Sequence, residues 1–150
     1  METRTVVMGY IFHKAKVLLV KHKKSNRFMS CGGHLQENEL FTEGLSREIK
    51  EETNLDIKII STGHLELENS QPRPLIITFK IIPAENRRLQ IQEYLCLVDD
   101  ISTFRINNQE LSGYQWLTKE EISNSNLTEN LKGIILKAFR FMEMNNLLNQ

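Results

Sequence analysis

Short apolar runs and alternating apolar and polar positions recur along much of the chain and predict a sheet-forming sequence. Residues 6–12 and 17–20 form two such runs with a short turn between them, which predicts two neighbouring strands. Further strands are predicted, in part from bounding prolines, at residues 56–68, 75–82, 94–98 and 115–117.

One segment instead repeats its apolar residues at helical spacing. Phe41, Leu45 and Ile49 recur every four residues and predict a helix over about residues 41–53. Asn54 follows at the position where a helix favours a residue that tolerates the left-handed conformation.

A second helix is predicted over residues 130–145 by the same criterion. With no internal repeat and no linker, this pattern predicts a single domain over residues 1–150, of the α/β class, with a mixed sheet and helices on its faces. A composition of 40% hydrophobic and 25% charged residues is typical of one globular domain and argues against disorder.

The remaining composition bears on the compartment. Cys31 and Cys96 have neither metal-ligand spacing nor the number needed for a disulfide framework, which favours a reducing, cytoplasmic location. No apolar run approaches the ~18 residues of a membrane span, and the first residues lack the apolar segment of a signal peptide. We therefore expect a cytoplasmic protein with no membrane partner.

The chain is neutral overall, with 19 basic and 19 acidic residues, but the charges are unevenly distributed. Residues 1–27 carry seven Lys or Arg against one Glu, a net charge of +6, whereas residues 33–55 carry six Glu against two basic residues, a net charge of −4. Two solvated faces would explain this pattern. An acidic centre beside a basic rim would suit a phosphorylated ligand held through metal ions.

The predicted helix 41–53 places acidic residues where apolar ones are expected. Steps of roughly 100° per residue put Glu48 and Glu52 within roughly 20° of Phe41, on the apolar stripe, and Glu51 at its edge. Residues on the opposite, solvent-facing side are Glu43, Ser46 and Lys50. Solubilising acids would lie on that opposite side.

The same three glutamates also repel one another. Glu48 is three and four residues from Glu51 and Glu52, and each like-charge pair costs about 0.2–0.5 kcal/mol. Glu51 and Glu52 lie in the last turn, at the negative end of the helix dipole. A divalent cation bound by the carboxylates would relieve these conflicts, which are typical of a functional site. Three ordinary surface glutamates are the alternative.

Residues 33–55 resemble the Nudix box. The family pattern is Gly, five residues, Glu, seven residues, then Arg-Glu-hydrophobic-any-Glu-Glu-any-Gly-hydrophobic. The chain matches it with Gly33, Glu39, Arg47, Glu48, Ile49, Glu51, Glu52 and Leu55, and has Asn54 in place of the last Gly. Asn is the next-best residue for a left-handed C-cap, so the departure is mild.

The resemblance implies a Nudix-type α/β/α sandwich with a mixed β-sheet between helices, and Mg²⁺ or Mn²⁺ as cofactor. It implies that Glu48, Glu51 and Glu52 bind the metal together with the carbonyl of Gly33. The remaining conserved pair of the box, Glu39 and Arg47, would brace the loop against the helix.

A carboxylate outside the box completes the metal site or acts as base in many family members. Glu110 is the first candidate for this catalytic role and Glu93 the second, with a box glutamate as a further option. Arg27, His34 and Lys23 are candidates for substrate binding, because basic side chains pair with phosphates.

Three aromatic residues could stack on a nucleobase. We expect core packing instead for each of them: Phe28, Phe79 and Tyr114. Specificity is expected in loops outside the box, such as residues 68–74 and 84–92.

The resemblance implies a metal-dependent hydrolase that cleaves a phosphoanhydride bond of a nucleoside diphosphate-linked substrate by water attack at phosphorus. Two alternatives remain: an RNA 5′-pyrophosphohydrolase, which would want a wider basic groove, and a non-catalytic nucleotide-binding sensor domain. The intact box disfavours the sensor. The expected partner is a small nucleotide rather than RNA, and a homodimer is possible because many relatives dimerise.

Overall fold

A computed structural model of the chain describes residues 1–63 and 70–148. The strands are β1 (Glu2–His13), β2 (Lys16–His22), β3 (Phe28–Met29), β4 (Cys31–His34), β5 (Lys58–Ile60), β6 (Ile76–Ile82), β7 (Arg87–Leu97) and β8 (Leu111–Thr118). The α-helices are α1 (Phe41–Thr53), α2 (Lys119–Ser123) and α3 (Glu129–Met144), with a 3₁₀ turn at Pro83–Glu85. Within these ranges, no helix is long and apolar enough to cross a membrane.

The strands form one mixed sheet with β1 at its centre. β1 pairs in parallel with β7, from Glu2 opposite Arg87 to Phe12 opposite Leu97. It also pairs antiparallel with β2 and β4, while β8 extends the sheet beyond β2. β5 and β6 both pair antiparallel with β7.

Two hydrophobic cores lie on the two faces of this sheet, because successive residues of a strand point to opposite sides. On one face, Ile11 of β1 packs with Ile49 of α1. On the other face, Phe12 packs with Phe139 of α3, with the two ring centroids 4.9 Å apart. Helices cover both faces, which confirms the predicted α/β/α sandwich.

Helix α1 has the predicted limits. Its first turn is closed by Glu43, whose Oε1 accepts a hydrogen bond from the N–H of Leu40 at 2.9 Å. Asn54 ends the helix in the left-handed conformation, with φ of 59°, and its N–H donates to the carbonyl of Lys50. Asn54 therefore fills the role for which the sequence pattern usually has glycine.

Gly9 of β1 lets α1 lie close to the sheet. A Cβ at this position would be 3.0 Å from both Cδ1 of Ile49 and Sγ of Cys96, which is tighter than ordinary van der Waals contact. The small residue therefore fixes the depth at which α1 packs.

After α1, the structure differs from the predicted elements in several places, including β8, which begins at Leu111 rather than at residue 115. Residues 84–92 were expected to be a loop, but β7 begins at Arg87 rather than at residue 94. The predicted strand 56–68 contains β5, and its residues 64–68 lie outside the described part of the chain. The five-residue helix α2 was not predicted.

The expectation of core packing was wrong for two aromatic residues. Phe79 is 70% exposed and Tyr114 is 48% exposed. Phe79 lies on β6, whose residues 77–81 are exposed on both faces of the sheet, so no core forms around it. Phe28 is half-buried and packs against the core on the α3 side of the sheet, as expected.

Candidate active site

An ion pair ties the loop before α1 to the helix. The carboxylate of Glu39 accepts hydrogen bonds from Nε and Nη2 of Arg47 at 2.6 and 3.0 Å. Glu39 also accepts the N–H of Gln36, and Arg47 donates to the carbonyl of His34 at 3.2 Å. The hydrogen bond from Arg47 lowers the pKa of Glu39. This geometry supports the bracing role predicted for the pair.

Two glycines of β4 bring the backbone against α1. Gly32 has φ of 154°, and a Cβ there would overlap the carbonyl oxygen of Val7. A Cβ on Gly33 would lie 2.6 Å from Cδ and Oε2 of Glu48. Glycine at position 32 therefore lets β4 lie close to β1, and glycine at position 33 lets the β4 backbone lie directly beside the carboxylate of Glu48.

Glu52 is the most enclosed of the three α1 glutamates. Its side chain is 1% exposed, against 17% for Glu48 and 55% for Glu51. Oε1 accepts the N–H of Gly32 at 2.7 Å, while Oε2 is buried and has no hydrogen-bond partner among the described residues. Burial raises the pKa of Glu52 to about 8, and the charges of Glu48, Glu110 and Glu51 add to the increase.

Arg47 links the other two glutamates. Its Nη1 lies 2.9 Å from Oε1 of Glu48 and 3.4 Å from Oε1 of Glu51. Burial raises the pKa of Glu48, and the hydrogen bond from Arg47 opposes the increase. Glu52 is buried in the apolar stripe of α1, as predicted. The residues predicted on the opposite side of the helix are exposed: Glu43, Ser46 and Lys50.

His22 lies beside this cluster, although the sequence analysis assigned no role to it. Its Nε2 is 3.8 Å from Oε2 of Glu52, and both atoms are buried without a hydrogen-bond partner in the described part of the chain. Burial lowers the pKa of His22, and the charge of Glu110 opposes this. His22 ends a strand without any motif, so only the fold places it here.

Glu110 reaches the cluster through the segment that follows β7. The N–H of Asn107 donates to the carbonyl of Glu52 at 2.8 Å, which fixes the turn containing Glu110 at the end of α1. The carbonyl of Glu110 accepts the N–H of Lys23. Glu110 is exposed. Burial is the largest cause of the raised pKa values of Glu48 and Glu52, and the charge of Glu110 adds a smaller increase to both.

Glu93, the second candidate, lies on the other face of the sheet. Its neighbours in β7, Gln92 and Tyr94, are joined by a hydrogen bond, and Tyr94 belongs to the core on the α1 side. Glu93 instead accepts a hydrogen bond from Tyr10 and lines a cavity on the α3 side. The structure thus separates the two candidates and leaves Glu110 with the glutamate cluster.

The three predicted substrate-binding residues fall in different places. His34 is exposed at the end of β4, next to Gly33. Lys23 is exposed beside the Glu110 turn, to which its N–H is bonded. Arg27 is exposed and lines the cavity on the α3 side of the sheet. They do not form one patch.

The residues of the cluster fit a divalent cation. Carboxylate and backbone carbonyl oxygens are the ligands that such cations prefer, and the buried Oε2 of Glu52 is unpartnered. Among the described residues, no three acidic, His or Cys side chains are gathered closely enough to form a complete metal centre.

Comparisons with known proteins identify similar sequences and structures. The family model of the NUDIX domain matches residues 2–138. A crystal structure of a NUDIX-family hydrolase from Clostridium perfringens superposes with a TM-score of 0.79 at 26% identity, covering 92% of this chain and 97% of that one.

Two curated relatives are similar in sequence. An uncharacterized Nudix hydrolase from Nostoc sp. is 30% identical over 102 residues, which cover 66% of this chain and 56% of the relative. An m7GpppN-mRNA hydrolase from Xenopus laevis is 30% identical over 120 residues, which cover 70% of this chain and 38% of the relative. The aligned parts therefore span about half or less of these two proteins.

Proposed function

Because this chain belongs to the Nudix family, we propose that it hydrolyses a phosphoanhydride bond in a nucleoside diphosphate-linked substrate and requires Mg²⁺ or Mn²⁺. Pyrophosphate-bond hydrolysis is the reaction of the family in general, and the chain is a Nudix hydrolase. The buried, unpartnered Oε2 of Glu52, beside the glycine backbone of β4, supports the requirement for a divalent cation.

We assign the metal ligands to Glu48, Glu51, Glu52 and the carbonyl of Gly33. When bound, the cation would neutralise phosphate charge and lower the pKa of the attacking water. The absence of a side chain at Gly33 keeps the β4 backbone beside Glu48, where a Cβ would be 2.6 Å from the carboxylate.

Glu110 is the residue that we propose to accept the proton of the attacking water. It is exposed, so substrate and water can reach it, and it lies near enough to act on the pKa values of Glu48 and Glu52. Arg47 and Glu39 would position the cluster through the hydrogen bonds described above. Lys23 and His34 are exposed, and we propose that they contact the phosphates of the substrate.

A hydrolysis screen tests the proposal. The substrates are nucleoside triphosphates, dinucleoside polyphosphates, ADP-ribose, nucleotide sugars, and triphosphorylated and capped RNA, each with Mg²⁺, with Mn²⁺ and with excess EDTA. We expect turnover of at least one small nucleotide that EDTA abolishes and Glu52→Gln reduces at least 100-fold. Turnover that persists in EDTA would refute metal dependence, and turnover of RNA alone would favour the RNA 5′-pyrophosphohydrolase.

We also propose that the protein works in a reducing, cytoplasmic compartment. Cys31 and Cys96 are both free and buried, which supports a reducing, cytoplasmic location. Burial raises the pKa of both thiols, which keeps them protonated. The homodimer that the resemblance implies is tested by sedimentation equilibrium, where a single species of 17.5 kDa would exclude it.

A further inference from the structure

Two buried side-chain atoms lie side by side at the edge of the α1 glutamates, and neither has a hydrogen-bond partner among the described residues. Nε2 of His22 and Oε2 of Glu52 are 3.8 Å apart, which is too long for a hydrogen bond between them. Within residues 1–63 and 70–148, Nε of Arg87 is the only other buried side-chain atom left unpaired. Because buried polar groups are normally hydrogen-bonded, two such atoms next to each other indicate a shared ligand.

The strand register directs His22 toward α1. Leu18 and Val20 belong to the core on the α1 side of the sheet, and His22 is the next residue of β2 in this alternation. The pairing of β2 with β8 also shifts its register just before His22. Such bulges re-aim side chains and are common beside active sites. The orientation of His22 therefore comes from the fold and not from a local motif.

Both groups are held in place by the surrounding structure. The N–H of His22 donates to the carbonyl of Arg27 at 3.2 Å, and the carbonyl of His22 accepts the N–H of Asn26 at 2.8 Å. The imidazole is 25% exposed, whereas Glu52 is 1% exposed and is anchored through Oε1 to the N–H of Gly32. A ligand of the two atoms would therefore meet a preformed pair, which lowers the entropic cost of binding.

The charges around the pair favour a cation over an anion. Glu48 and Glu110 act electrostatically on Glu52. Glu110 also acts on His22. Negative potential of this kind attracts cations and repels phosphate. An imidazole nitrogen and a carboxylate oxygen are both common metal ligands, so the chemistry of the pair fits a metal ion.

The separation of the two atoms is close to that of two ligands on one metal ion. With bonds of about 2.1 Å, two ligand atoms on the same cation are roughly 3.0–3.5 Å apart in octahedral or tetrahedral geometry. The observed 3.8 Å therefore requires a side-chain shift of less than about 1 Å. A cation would bring together two atoms that otherwise lack a partner.

We propose that Nε2 of His22 is a ligand of the cation together with Oε2 of Glu52, and that it shifts the metal preference of the site from Mg²⁺ toward first-row transition metals. This inference rests on the proposed function and adds a nitrogen to the oxygen ligands assigned there. Mg²⁺ prefers oxygen ligands, whereas imidazole suits transition metals, with affinity rising from Mn²⁺ to Co²⁺. The site would then select among cations through one side chain outside α1.

Pulsed electron paramagnetic resonance of bound Mn²⁺ tests the ligand directly, because a coordinated imidazole nitrogen modulates the spin echo. The samples are wild type, His22→Phe and His34→Phe, each saturated with Mn²⁺ and free of substrate. His22→Phe keeps a ring without a nitrogen, and His34, exposed next to Gly33, provides the matched control. We expect nitrogen modulation in wild type and His34→Phe and its loss in His22→Phe. Unchanged modulation in His22→Phe would overturn the inference.

Metal affinities test the shift in preference. Calorimetry with Mg²⁺, Mn²⁺ and Co²⁺ is carried out on wild type, His22→Phe and Glu129→Gln. Glu129 begins α3 and its side chain is 94% exposed, so Glu129→Gln controls for cations bound by surface carboxylates. We expect His22→Phe to lower the affinity for Co²⁺ by at least about tenfold and that for Mg²⁺ by less than about threefold, and Glu129→Gln to change neither. Equal losses for Co²⁺ and Mg²⁺ in His22→Phe would contradict the proposed selectivity.

The same measurements separate this inference from the proposed function. Mn²⁺ that binds wild type without nitrogen modulation would refute the role of His22 and leave the metal-dependent hydrolase standing. Failure of all three cations to bind wild type would refute both. A weaker affinity for pyrophosphate in Mn²⁺-loaded His22→Phe, with its Co²⁺ affinity unchanged, would assign His22 to phosphate instead. If His22→Phe does not fold, His22→Gln takes its place with the same expected losses, and a Co²⁺ affinity equal to that of wild type would overturn the inference.

Discussion

Replacing Glu52 by Gln should change how the stability of the metal-free protein depends on pH. The side chain is 1% exposed, and Gln keeps the acceptor that Oε1 provides to the N–H of Gly32. The substitution therefore removes the ionisable group and preserves its shape and one hydrogen bond. Any difference between the two proteins that grows with pH reports the cost of ionising this carboxyl group in the folded state.

The raised pKa of Glu52 makes the folded protein less stable as the pH increases. Burial raises the pKa of Glu52 from 4.5 to about 8, so the folded protein binds the proton more tightly than the unfolded chain. The contribution of this group to stability is complete below about pH 4.5 and is lost as the pH rises through about 8. Each unit by which the folded and unfolded pKa values differ is worth about 1.4 kcal/mol. The free energy of unfolding of wild type should therefore fall by roughly 3–5 kcal/mol between pH 4 and 9 because of Glu52.

Chemical denaturation in EDTA at pH 5, 7 and 9 measures the effect. Glu52→Gln should be close to wild type at pH 5 and clearly more stable at pH 9. Glu51→Gln on the same helix is the control, because its side chain is 55% exposed and its charge adds only the smallest contribution to the raised pKa of Glu52, so the pH dependence should change much less. Parallel curves for wild type and Glu52→Gln would refute the enclosed, destabilising carboxylate on which the site rests.

Three further predictions concern the same site. Activity should require a divalent cation and rise toward alkaline pH, as measured by initial rates in buffered Mg²⁺, because the metal-bound water must lose a proton; full turnover in excess chelator would contradict this. Glu39→Gln should reduce metal affinity by about 10–100-fold and less than Glu51→Gln or Glu52→Gln, since its action is indirect; equal metal affinities by calorimetry would contradict the roles. Gly33→Ala should reduce activity strongly, because the added Cβ would meet Glu48 at 2.6 Å, whereas Gly133→Ala, with nothing within 4 Å, should keep activity and raise stability by about 0.5–1 kcal/mol; equal rates in the two variants would exclude the close approach at Gly33.

Local pattern was sufficient to predict α1 and its buried acid. Steps of 100° from Phe41 place Glu52 in the apolar stripe, and a helix carries this geometry within thirteen residues. Asn54 likewise follows from the left-handed conformation that ends the helix. These features depend on neighbours within a few turns, so a single sequence contains them.

Long-range pairing determines what the sequence pattern missed. The first half of β7, from Arg87 onward, mixes charged and apolar residues and becomes a strand because β1 and β6 pair with it on either side. The contact of Tyr10 with Glu93 joins residues 83 positions apart, and His22 meets Glu52 only through the fold. Neither contact leaves a local signal, because each depends on strand register.

If the α1 carboxylates beside Gly33 hold the catalytic cation, the affinity of the protein for Mn²⁺ depends on them. Electron paramagnetic resonance of free Mn²⁺, titrated with wild type, Glu52→Gln and Glu129→Gln, measures affinity without any substrate. We expect saturable binding to wild type and Glu129→Gln, and binding at least tenfold weaker to Glu52→Gln. Equal affinity in all three proteins would contradict the assignment of the cation to this cluster.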